Sequence, residues 1–187
     1  MSGKRRIVIH TKSKVDCRKE NEALILAVHH LGRTQKIERP KDALKHFDNL
    51  SLRKPGREEH IQATFLVLEK EGANSPLSML EASINLENRL GGVVWFAGWN
   101  DAKIFKEDSD NPQDDLGDYF WVSDAESPPN FDPQVLSDHD SALYFDPCGV
   151  IPVPQIRATV AEFCQSMGHR PTCTKWVPGS QDGSRLS

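Results

Sequence analysis

The chain has 187 residues, 37% of them apolar and 27% charged, and a formal net charge of −4. That is the length of one domain, too apolar for a disordered chain, and no apolar run approaches the ~18 residues of a membrane span, so no membrane partner is expected. The basic opening MSGKRRIVIH carries only Ile7, Val8 and Ile9 as an apolar stretch. This is short of a secretory segment, so the expected compartment is the cytoplasm. There Cys17, Cys148, Cys164 and Cys173 should be reduced thiols, buried as small apolar side chains.

In chain order, residues 5–10 (RRIVIH) read as a short strand. Residues 19–31 (KENEALILAVHHL) read as a helix. Leu24, Ala27, Val28 and Leu31 recur at helical spacing, Glu20 and Glu22 sit in the first turn, and Gly32 follows as a stop. His29 and His30 then suit the helix end as dipole-facing cations, with no third ligand in reach for a metal. Pro40 opens a second short helix, PKDALKHF, and residues 49–60 read as polar linker.

From residue 61 the texture becomes β. ATFLVLEK (63–70), LSMLEASIN (77–85) and GVVWFAGW (92–99) are strands joined by short turns, which predicts an antiparallel meander. GVVWFAGW is apolar on both faces, as a central strand would be. An acidic loop, 100–118, leads to a fourth strand, DYFWVSD (118–124). Residues 125–141 read as loop and ALYFDP (142–147) as a possible fifth strand. The segment QIRATVAEFCQSM is the best-defined helix, with Ile156, Val160, Phe163 and Met167 on one stripe and Gly168 as C-cap. RPTCTKWVP gives a final strand, and the Gly/Ser-rich residues 179–187 should fray. The expected fold class is α+β: a mostly antiparallel sheet of about five to six strands, with an N-terminal and a C-terminal helix packed on it. The expected organisation is a basic helical segment (1–60), an α+β domain (61–178) and a flexible tail (179–187), one compact domain overall.

Charge is unevenly placed. Residues 1–60 hold 15 Lys+Arg against 8 Asp+Glu, whereas residues 101–146 hold 2 against 13, a local net of −11. Phosphate would repel that block, so it suits a basic protein partner and no direct nucleic-acid contact is expected there. Nucleotide, zincin and nucleophile-elbow motifs are absent from the sequence, as is zinc-type cysteine spacing. No cofactor, metal site or catalytic residue is expected. Asp138-His139-Asp140 is the densest polar cluster, but neighbours on a strand point to opposite faces and would not converge. Core packing is the default for Trp95, Trp99, Trp121 and Trp176. At a sheet edge beside the acidic loop, Trp99 or Trp121 would instead suit an interface anchor.

The stretch IPVPQIRATVAEFCQSMGHRPTCTKWVP resembles the closing signature of the first-numbered immunity-protein family of bacterial polymorphic-toxin systems (Imm1-like). The matching positions are Ile151, Pro152, Glu162, Phe163, Gly168, Arg170, Pro171 and Trp176, and the resemblance covers about residues 60–178. It departs in the long N-terminal segment and the acidic loops. The resemblance implies a small α+β protein that binds and neutralises a cognate toxin, often of the nucleic-acid deaminase type, in the producer's cytoplasm. Such a toxin carries a basic cleft, to which an acidic face would steer. The expected partner-binding residues are Glu107, Asp108, Asp110, Asp114, Asp115, Asp118, Asp124 and Glu126, with Tyr119 or Trp121 as anchor. An adaptor or regulatory module with a nucleic-acid-binding or protein-binding N-terminal part is an alternative. A small enzyme built on His139 is another.

Overall fold

The computed structural model describes residues 24–56, 59–98, 120–138 and 142–186. The strands are β1 (Ile25–His30), β2 (Arg33–Ile37), β3 (His60–Leu68), β4 (Ser78–Asn85), β5 (Leu90–Ala97), β6 (Phe120–Asp124), β7 (Leu136–Asp138), β8 (Leu143–Tyr144), β9 (Ile151–Pro152) and β10 (Lys175–Gly179). The helices are α1 (Pro40–Ser51) and α2 (Val153–Gln165). One eight-stranded antiparallel sheet runs in the order β2-β1-β3-β4-β5-β6-β10, with β9 paired to the start of β5. Strands β7 and β8 form a separate small ribbon.

Both helices cover one face. Phe47 and Leu50 of α1, and Ile156, Val160 and Phe163 of α2, join Phe65, Leu80, Ile84, Val93 and Trp95 in the main core. Opposite, a smaller core of Val94 and Val122 is closed by Val135, Phe145 and Val150 from the loop-rich stretch after β6. With both faces covered, β4 and β5 are buried almost throughout. Two consecutive glycines in β5 let both layers close. A Cβ on Gly91 would lie 2.6 Å from Ile156 Cδ1 of α2, and one on Gly92 would collide with the Phe145 ring on the other face.

The sheet is larger than the five to six strands expected, and the differences have physical reasons. Residues 25–30 form strand β1, so the helix expected over 19–31 is corrected there. Residues 19–23 lie outside the described residues, as does the strand expected at 5–10. Leu31 (φ 50) and Gly32 (φ 70) make a two-residue left-handed turn into β2, so Gly32 is a hairpin residue rather than a helix stop. His29 then bonds Thr34 Oγ1 across the hairpin at 2.8 Å, and His30 Nδ1–H donates to the Gln62 carbonyl at 2.7 Å.

The second helix continues to Ser51 because Leu50 and Ser51 are buried, which takes its last turn into the stretch read as linker. The stretch read as loop between 125 and 141 contains β7, and the expected fifth strand shrinks to Leu143–Tyr144 because Phe145 turns into the second core. Residues 180–186, expected to fray, fold back: Gly179 bridges Arg185, Leu186 N–H donates to the Pro178 carbonyl at 3.0 Å, and Gly183 packs on Phe145. Of the described cysteines only Cys164 is fully buried, its thiol pushed up to about 12 by burial, whereas Cys173 is exposed.

Candidate partner-binding surface

The closing segment of the chain folds into a clamped loop beside α2. Glu162 on α2 accepts from the Thr172 backbone N–H (2.7 Å), the Thr172 hydroxyl (2.8 Å) and the Cys173 N–H (3.0 Å). Burial pushes its carboxyl up, but these hydrogen bonds more than offset that and hold it below its ordinary value. The loop after α2 is thereby clamped. Gly168 takes φ +103, its N–H donates to the Phe163 carbonyl, and its own carbonyl accepts from Trp95 Nε1 at 3.0 Å. The Pro171 carbonyl accepts from Trp176 Nε1 at 2.7 Å. This places the Arg170 guanidinium 4.1 Å from the centre of the Trp121 ring.

Of the expected partner-binding residues, Glu107, Asp108, Asp110, Asp114, Asp115, Asp118 and Tyr119 lie outside the described residues, as do Trp99, His139 and Asp140. Trp121 is half-buried on the helix-covered face, packed against the main core beneath Arg170. Asp124 pairs with Arg185 at 3.0 Å, and Glu126 with Lys175 at 2.9 Å. Each of these two carboxylates therefore has a cation from the C-terminal part of the chain beside it.

A second acidic group lies on the opposite face and is not among the expected residues. A pocket of about 350 Å³ is lined by Gln62, Glu81, Ser137, Asp138, Gln181 and Asp182. Glu81 stands on central strand β4, only 7% exposed. Its Oε1 accepts from Gln62 Nε2 at 2.7 Å, and that amide also donates to the Ser137 carbonyl at 2.5 Å. Burial pushes the Glu81 carboxyl up to about 7, the Gln62 bond opposing and nearby Asp138 adding to the rise. Gln181 and Asp182 reach the pocket because the chain folds back after β10. The available signal was the polar row Glu81, Ser83, Asn85 on a strand between two apolar ones. Such a row requires a cover that can make hydrogen bonds.

The family model described as Immunity protein Imm1 matches residues 47–178 of the chain, from the second half of α1 to β10. No curated protein and no solved structure matches it. The matched region contains α2, the Glu162 clamp, the Trp121–Arg170 contact and the Glu81 carboxyl, and on that match the chain belongs to the Imm1 immunity protein family.

Proposed function

We propose that this protein binds a cognate toxin that acts on nucleic acid, of the deaminase type, and neutralises it in the cytoplasm by covering its active site. Family membership supports the immunity role. The observation that carries the partner's chemistry is the net −11 of residues 101–146. An enzyme that holds nucleic acid presents a basic cleft, and an acidic inhibitor competes for it while phosphate cannot approach the inhibitor. Glu107, Asp108, Asp110, Asp114, Asp115 and Asp118 steer the encounter, with Tyr119 or Trp121 as the aromatic anchor. Asp124 and Glu126 contribute a weaker field, since Arg185 and Lys175 partly neutralise them. The protein acts stoichiometrically and without a cofactor.

The test is co-expression with the toxin encoded beside it. A 1:1 complex should co-purify, and toxin activity on nucleic acid should fall to background as the ratio reaches one. A toxin that stays fully active with saturating protein overturns the proposal.

A further inference from the structure

The pocket around Glu81 is lined by polar groups. Among the described residues that line it, three are carboxylic acids, two are amides, one is a serine, and none is cationic. Glu81 lies at its floor rather than at its rim, 7% exposed and fixed by Gln62. A carboxylate offers about four acceptor positions, and Gln62 Nε2 takes one of them. Independently, Ser137 in the pocket wall is 2% exposed, and its Oγ has no hydrogen-bond partner among the described residues. A buried acceptor left unfilled is costly unless something enters to satisfy it. Asp182 is held at the mouth by its own turn, its Oδ1 accepting from Ser184 N–H at 3.0 Å and Ser184 Oγ at 2.6 Å.

A bare metal ion does not fit this arrangement. Among the described residues no three His, Cys, Asp or Glu side chains are grouped to hold one. The acceptors are instead spread around a cavity near the lower end of ligand-pocket volumes, about 300–1,000 Å³. Distributed acceptors in that space match a cation that carries several N–H donors.

We propose that this pocket receives the cationic head of a lysine or arginine side chain presented by the toxin, with Glu81 as its buried counter-charge. The inference rests on the immunity reading given above, because it takes the toxin as the source of the side chain. A basic side chain seated there would exchange water for Glu81, Ser137 and the two amides, and its charge would hold Glu81 ionised. Docking near neutral pH therefore releases a proton, which a rim contact would not do.

The experiment has two arms on the full chain. In the first, ethylguanidinium and ethylammonium chloride are titrated into protein carrying ¹³C-carboxyl glutamate, with potassium chloride and calcium chloride as controls at equal ionic strength. One organic cation should lower the Glu81 titration midpoint saturably by about one pH unit, and Asp182→Asn should weaken that response. No shift beyond potassium chloride, or a response to calcium alone, overturns the proposal whatever the toxin does. In the second arm, binding of the toxin encoded beside this protein is compared for wild type and Glu81→Gln, which keeps the oxygen that accepts from Gln62. The expected loss is at least about tenfold in affinity, together with loss of proton release in buffers of different ionisation enthalpy. Equal affinity and equal proton release in a folded Glu81→Gln protein overturn the pocket proposal and leave the immunity reading standing. A wild-type protein that fails to bind the toxin overturns the immunity reading, and the first arm still decides the pocket's chemistry.

Discussion

Glu81 sets a pH dependence that a surface carboxylate would not. Burial raises its carboxyl to about 7 from an ordinary 4.5, so between those values the folded protein holds a proton that the unfolded chain has released. Stability must then fall as pH rises through that window and stay low above it. The full effect is about 3 kcal/mol, from the shift at ~1.4 kcal/mol per unit. Glu81→Gln should leave stability near pH 4.5 almost unchanged and raise it at pH 8. Urea unfolding midpoints at the two pH values measure this, and equal gains at both would show that the carboxyl is not buried as described. Glu162 works in the opposite sense. Its carboxyl is held below its ordinary value, so its contribution is present above 4.5 and lost as pH falls through the folded value.

Among the elements, α2 seats Ile156, Val160 and Phe163 in the main core. Phe163 is completely buried between the helix and the sheet, so Phe163→Ala should cost about 3–5 kcal/mol, read as a lowered denaturant midpoint with little change in slope. The β1–β2 hairpin depends on Gly32, where a Cβ would meet nothing within 4 Å, so only the left-handed backbone opposes a side chain. Gly32→Ala should therefore cost about 1 kcal/mol, measured by the same unfolding curve. A cost near zero would mean that the turn re-forms with another geometry.

These two elements also mark how far the sequence could be read. The stripe Ile156, Val160, Phe163 is periodic at 3.6 and lies between Pro152 and Gly168, and the helix forms there. In the stretch from Leu24 to Leu31 the same spacing arises by coincidence, because Leu26 and Val28 face the core while Ala27, on the other side of the strand, is buried as well. A strand covered on both faces loses its period-2 signal, and only tertiary pairing to β3 separates it from a helix. The site divides in the same way. Acidic density over residues 101–146 is a local property of the sequence and visible, whereas the meeting of Glu81, Ser137 and Asp182 requires chain segments far apart in sequence.

At the scale of the whole molecule, charge is the organising quantity. Under the proposed function, the −11 of residues 101–146 would act on the rate of encounter with the toxin more than on the lifetime of the complex. Replacing Asp110, Asp114 and Asp115 by Lys should slow association with the toxin about tenfold or more at low salt and flatten its salt dependence, with the melting temperature little changed. Stopped-flow association at several ionic strengths measures this, and an unchanged rate at low salt would place the interface elsewhere.

The sheet's two covers differ in kind. One consists of two helices, whose backbone hydrogen bonds are internal. The other is a strap of loop and short strands, described over residues 125–138 and 142–150, tied down by Val135, Phe145 and Val150, by the returning segment at Gly183, and by hydrogen bonds from Asn85 and Asn88 to the Pro133 carbonyl and from Gln62 to the Ser137 carbonyl. Such a strap can detach while the helices and central strands stay in place. Amide exchange should therefore resolve two free-energy levels. Backbone amides such as Phe145 N–H, which donates to Val135 across the strap, should exchange through a lower opening than those of Leu80 and Trp95 at the sheet's centre. That outcome would make the protein a clasped molecule rather than a uniformly rigid one. Because the clasp carries Ser137 and Asp138, each opening would also dismantle one wall of the pocket above Glu81.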